Sequence, residues 1–92
     1  MSSDAALNEV HQKALEARQK MLDARPKDTI PPLPERIIPG PTNCFIYFEM
    51  AAHFYSRAAA AYSSGDVATG QIFEFWAYQH MLLGQACAAQ LS

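Results

Sequence analysis

Four side chains in the second half of the chain could together bind a metal ion. Glu49 and His53 stand four residues apart, on one face of a predicted helix, and Glu74 and His80 follow in the next helical segment. Carboxylate and imidazole groups bind metals in many helical bundles. The Glu-x-x-His spacing of ferritin-like di-metal bundles is absent. We favour ordinary hydrogen-bonded side chains and keep a metal- or small-molecule-binding bundle as the alternative function.

Motifs of enzymatic catalysis are absent. The chain has no Gly-x-Ser-x-Gly sequence for a nucleophilic serine and no glycine-rich phosphate loop. Neither Cys44 nor Cys87 has a histidine close in sequence that could lower the pKa of its thiol. We therefore expect a protein that is not an enzyme and that needs no cofactor.

Composition excludes two classes of partner and suggests a compartment. Nine acidic and seven basic residues give a net charge of -2, so no broad basic surface is available for nucleic acid. The apolar stretch 67–91 contains Glu74 and several glutamines, which argues against a transmembrane segment. Since no basic segment followed by an apolar run opens the chain, we expect a cytoplasmic protein. Cys44 and Cys87 could close a disulfide, but two buried thiols are the favoured interpretation.

A proline-rich motif offers a binding function of its own. Residues 30–36 read Ile-Pro-Pro-Leu-Pro-Glu-Arg, which resembles the ligand pattern of SH3 domains: apolar, Pro, any, apolar, Pro, any, basic. The resemblance implies that Pro31 and Pro34 enter aromatic slots and that Arg36 meets an acidic pocket of the partner. The same residues also suit a strap whose apolar side chains, Ile30, Leu33, Ile37 and Ile38, press onto the chain's own helices. We favour the strap.

The pattern predicts an all-α single domain in three segments. Residues 1–25 form an amphipathic helix, 26–42 hold all six prolines and form the strap or linker, and 43–92 form a long antiparallel helical hairpin. The first helix shows one apolar seam, with residues recurring every three or four positions: Leu7, Val10, Ala14, Ala17, Met21 and Ala24.

The hairpin segment is too apolar to be covered by its own two helices. It carries only four formal charges and all ten aromatic residues of the chain. A small domain buries a modest fraction of its surface, so we expect the hairpin to associate with itself or with another helical protein. The proposed function is a small adaptor, assembly factor or subunit in an oligomeric bundle. The expected interface residues are aromatic: Phe45, Phe48, Tyr55, Tyr62, Phe73 and Trp76.

Spacing within the hairpin predicts its internal contacts. Gly65 suits a left-handed turn between the helices, and Gly70 and Gly84 suit positions where the helix backbones approach closely. If residues whose numbers sum to roughly 131 lie level, one turn sets the whole register. The expected pairs are then Arg57 with Glu74 and Cys44 with Cys87.

Overall fold

The computed structural model describes residues 2–33 and 44–90, and those residues form three α-helices. They are α1 (Ser2–Ala24), α2 (Cys44–Ser63) and α3 (Val67–Gln90). No strand occurs within these ranges. The all-α prediction is confirmed.

Helix α1 ends where the sequence predicts and packs on α2 through small side chains. The backbone N–H of Arg25 still bonds to Met21 O at 2.9 Å, and Pro26 cannot continue the ladder. Ala14, Ala17 and Met21, from the predicted seam, are buried in the core. Two alanines at the crossing let the backbones of α1 and α2 approach closely, because no long side chain separates them.

The turn between α2 and α3 is closed by Gly65 and Asp66. Gly65 has a φ of 85°, the left-handed conformation that the sequence predicts at this position. The N–H of Asp66 donates to Ala61 O at 2.9 Å, and the N–H of Thr69 donates to Asp66 Oδ1 at 3.2 Å. The hydrogen bonds from Thr69 hold the pKa of the exposed Asp66 carboxyl below its ordinary value. Asp66 is therefore the N-cap of α3.

Glycines in α3 face aromatic rings of α2. An added Cβ at Gly70 would overlap the Tyr62 ring, and one at Gly84 would lie 2.7 Å from the Phe48 ring. Both glycines thus make room for large side chains, as well as for the close approach of the two backbones. Because the start of α2 meets the end of α3 at Phe48 and Gly84, the two helices run antiparallel.

A disulfide joins Cys44 to Cys87 near the end of the helix pair away from the turn. Their Cα atoms are 5.6 Å apart, which the predicted register allows. The expectation of two free thiols is wrong. The disulfide fastens the ends of α2 and α3, and the turn at Gly65 fastens the opposite ends.

Helix α2 lies between the other two helices and supplies most of the core. It packs against α1 on one side and α3 on the other. Phe48, Tyr55 and Tyr62 are consequently buried within the chain. Their expected role as contacts to another chain needs correction, because α1 and α3 already cover them.

The described part of the proline-rich segment does not press its large apolar side chains onto the helices. Ile30 is 77% exposed and Leu33 is 74% exposed. For these two residues the strap prediction is wrong. The remaining predicted strap and ligand residues lie outside the described residues: Pro34, Arg36, Ile37 and Ile38.

Among the described residues, none of the three helices is both long enough and apolar enough to cross a membrane.

Candidate functional site

A buried polar network at the turn end of the bundle centres on Glu74. The Tyr62 hydroxyl donates to Glu74 Oε1 at 2.6 Å, and Arg25 Nε lies 3.2 Å from the same oxygen. Burial first, and then the hydrogen bond with Glu74, raise the pKa of Tyr62. A carboxylate this deeply buried requires such partners. The network joins the residue that follows α1 to both α2 and α3.

Arg57 is not the partner of Glu74, and the predicted pair is therefore wrong. Its Nε donates to His53 Nε2 at 3.1 Å, and its guanidinium lies 5.9 Å from the centre of the Phe73 ring. The predicted register puts Arg57 and Glu74 at the same height along the helix axes. Equal height does not determine the direction in which each side chain points. Glu74 turns toward the core and Arg25, whereas Arg57 stays on the exposed side of α2.

The four candidate metal ligands do not converge. Glu49 lines a groove between α1 and α2 that also contains Lys13, and His53 accepts the hydrogen bond from Arg57. His80 donates through Nδ1 to Trp76 O at 2.7 Å, while Glu74 is held in the buried network. Within the described ranges, no three His, Cys, Asp or Glu side chains lie close enough together to hold a metal ion.

A cavity of about 210 Å³ adjoins the Glu74 network. Its polar wall carries two guanidinium groups, one carboxylate and two phenols, and its apolar wall combines α1 side chains with two prolines. The lining residues are Arg18, Met21, Leu22, Arg25, Pro31, Pro32, Tyr55, Glu74 and Tyr78.

Tyr55 forms the floor of this cavity and is 1% exposed. Burial raises the pKa of its phenol to about 12, and the charge and hydrogen bond of Arg18 oppose part of that rise. Tyr55 is therefore neutral at ordinary pH. A neutral phenol can donate its own proton while it accepts a hydrogen bond.

The outer face of α3 near its start is apolar and open. Ile72 is 58% exposed and Trp76 is 49% exposed. The Trp76 ring packs edge-on against Phe75, with 5.6 Å between the ring centres. We call this surface the α3 patch; it borders an open groove of about 500 Å³ and consists of Ala68, Gln71, Ile72, Phe75 and Trp76.

Of the six predicted interface residues, only Trp76 lies in the α3 patch. Phe45 and Phe73 are half-buried, and the Phe73 ring stacks on Phe54 with 6.1 Å between the ring centres. Sequence reasoning missed Ile72 and Phe75, although helical spacing from Ala68 to Ile72 to Phe75 puts them on one stripe. Sequence reasoning also missed the cavity beside Tyr55. Residues of α1 form part of its lining, and the predicted hairpin turn does not determine where α1 docks.

Comparison with known proteins gives no relative of this chain. No protein-family model matches it, and no curated protein or solved structure does either.

Proposed function

We propose that this protein is a small, non-enzymatic interaction module that pairs with a second copy of itself through the α3 patch. The observation that carries the proposal is the exposure of Trp76 and Ile72 on a stripe that also contains Phe75. Exposed tryptophan surrounded by other apolar side chains is typical of interface centres. Most other large aromatic side chains of the described residues are buried or half-buried.

A second copy is the partner that fits the chemistry of the patch. None of the residues that line it is charged, so two identical patches can meet without repulsion between like charges. A two-fold symmetric contact brings the same side chain from each copy to the axis. Gln71 suits such an axis because its amide both donates and accepts hydrogen bonds.

The size of the patch indicates a weak dimer. Its five residues occupy little more than two helical turns, about 13 Å along the axis. Stable complexes commonly bury about 800 Å² on each partner, and smaller contacts are usually transient. We therefore expect monomer and dimer to exchange, with the dimer favoured as the protein concentration rises.

The mass of the protein in solution tests this proposal. We expect sedimentation or light scattering to give a mass that rises from one chain, 10.2 kDa, toward two chains as concentration increases. Trp76→Glu should hold the mass at one chain, since two buried carboxylates would face each other. Ile46→Glu is the matched control, because Ile46 is also 49% exposed but lies on α2.

A mass of one chain at every concentration would overturn the self-association and leave the patch to a different helical protein. Equal effects of Trp76→Glu and Ile46→Glu would also contradict it, because the association would then not depend on this surface.

The proline-rich segment supports a second candidate function, as a ligand for an SH3-type domain. A polyproline helix has three residues per turn and therefore three edges. The SH3 ligand pattern uses two of them, one that carries Ile30 and Leu33 and one that carries Pro31. These three side chains are exposed, and the more buried Pro32 belongs to the third edge. Titration of a purified SH3 domain with the whole chain tests this function: Ile30→Ala should weaken binding without changing the melting temperature, and unchanged binding would contradict it.

The disulfide bears on where the protein works. Structural disulfides persist mainly in oxidising compartments, so the Cys44–Cys87 bond favours such a compartment over the cytoplasm that the sequence predicts. Thiol labelling of the protein in its native cells would decide between them. Protected cysteines support the oxidising compartment, and labelled cysteines support the cytoplasm.

A further inference from the structure

The cavity beside Tyr55 has an excess of positive charge. Its lining carries the guanidinium groups of Arg18 and Arg25 and the carboxylate of Glu74. Glu74 is paired with Arg25 at 3.2 Å. Within the described residues Arg18 has no carboxylate partner, and its contact is the neutral hydroxyl of Tyr55. Arg18 is exposed to water, so its charge is available to an anion that enters the cavity.

The second guanidinium group, that of Arg25, is already occupied by groups of the chain. Arg25 Nε is close to Glu74, but its N–H is not aligned for a hydrogen bond and finds no other acceptor among the described residues. The Nη2 of the same guanidinium reaches Thr29 O at 3.4 Å, a long contact. Since Arg25 Nε is inaccessible to water and lies against Glu74, a ligand in the cavity can meet only other atoms of the Arg25 side chain.

The remaining walls define the shape of that ligand. Met21, Leu22 and Pro32 provide apolar lining in addition to the polar groups. The volume of about 210 Å³ is below the range of roughly 300–1,000 Å³ that is usual for drug-sized molecules. The occupant must be small, with one anionic end and a short apolar body.

We propose that this cavity binds a small monocarboxylate, whose carboxylate lies between Arg18 and Arg25 beside the Tyr55 hydroxyl and whose apolar part rests on Met21 and Leu22. The carboxylate supplies a counter-charge for Arg18. Guanidinium groups bind carboxylates through strong, charge-assisted hydrogen bonds. Tyr55 adds a neutral donor.

This binding site is separate from the α3 patch. The patch lies on the outer side of α3, whereas the cavity lies where α1 and residues 31–32 meet the inner sides of α2 and α3. The ligand would hold the segment that follows α1 against the helix pair. Binding therefore does not require a second copy of the chain.

Calorimetric titration of the whole protein with benzoate and with its neutral analogue benzamide tests the proposal. We expect saturable binding of benzoate with one site per chain, and binding of benzamide at least about tenfold weaker, because only benzoate supplies a charge-assisted acceptor. Equal binding of the two compounds would overturn the proposal, and so would the absence of saturable benzoate binding.

Two substitutions on α1 locate the site. Arg18→Gln should weaken benzoate binding about tenfold, whereas Lys20→Gln, which removes the same charge from an exposed position two residues away, should leave it unchanged. Equal weakening in both variants would mean diffuse attraction to α1 and would contradict a defined site. If Arg18→Gln did not fold, the comparison of benzoate with benzamide on the unaltered chain would still decide.

Discussion

Helices α2 and α3 are similarly apolar, yet the chain uses them differently. Helix α2 has a neighbour on two sides, so Phe48, Tyr55 and Tyr62 all become core residues. Helix α3 buries the side that carries Gly70, Ala77 and Gly84 against α2 and leaves the start of its outer side open.

This difference separates residues that hold the fold from residues available to a partner. As aromatic residues of an apolar segment, Phe48 and Trp76 are both predicted to contact a partner. The order of the helices in the bundle places Phe48 in the core and leaves Trp76 exposed. Helix α1 decides the division, since it covers the second side of α2 and has only sparse contact with α3. An apolar stripe is thus an interface candidate only when no helix of its own chain reaches it.

Truncation of one aromatic residue from each region should give the largest contrast. Phe48→Ala should lower the free energy of unfolding by about 3–5 kcal/mol, because it empties a large volume in the core. Trp76→Ala should change it by less than about 1 kcal/mol at concentrations where the chain is monomeric. Chemical denaturation measures both, and a large loss in Trp76→Ala would mean that the patch belongs to the core.

Removal of the disulfide should weaken the α2–α3 pair next most strongly. The bond closes a long loop, and the chain-entropy relation gives a stabilisation of about 3–4 kcal/mol for it. The Cys44→Ser, Cys87→Ser double variant should therefore unfold at lower denaturant, while its circular dichroism stays helical. The same midpoint with and without the bond would show that helix packing alone fastens this end.

Overpacking at Gly84 should cost about 1–3 kcal/mol, because a new side chain there meets the Phe48 ring. Gln85→Leu, at the exposed neighbouring position, is the control and should stay within about 0.5 kcal/mol of the unaltered chain. The double variant Gly84→Leu, Phe48→Leu tests whether Phe48 is the residue that the new side chain meets. The smaller side chain at position 48 should recover part of the stability that Gly84→Leu loses. Additive losses would place Gly84 away from Phe48.

Alkaline pH should have no effect up to about pH 10 and a graded effect above it. Burial, opposed in part by Arg18, raises the pKa of Tyr55 to about 12 in the folded chain, against about 10 in an unfolded one. Between those values the unfolded chain loses the tyrosine proton first, so the free energy of unfolding should fall as pH rises and be fully retained below pH 10. Tyr55→Phe should make this decline shallower in denaturation curves without removing it, because the pKa of Tyr62 is raised as well. An unchanged slope would mean that Tyr55 is accessible to water.

The sequence predicts those parts of the fold that depend on local signals. Pro26 ends α1, Gly65 and Asp66 form the turn, and the small residues of α3 mark its packed side. The register derived from that turn also brings Cys44 level with Cys87. Each of these features is determined by a few neighbouring residues or by a single short turn, which the sequence shows directly.

The candidate sites were harder to predict because they depend on how α1 docks. The position of Arg25 beside Glu74 follows from the path of the chain after α1, and no local pattern encodes that path. Register gives the level of a residue along a helix but not the direction of its side chain, so it does not reveal that Glu74 pairs with Arg25 and not with Arg57. The expected compartment predicts free thiols, whereas the geometry of Cys44 and Cys87 allows a disulfide.

The fluorescence of Trp76 tests the central claim most directly, because it is the chain's single tryptophan and lies in the α3 patch. On dilution of the unaltered protein, we predict that the emission shifts to longer wavelength as the dimer separates and water reaches the ring. Ile72→Glu should give the long-wavelength emission at every concentration, with the helical circular dichroism retained. Emission that does not change with dilution, in a protein whose mass stays at one chain, would contradict pairing through this face.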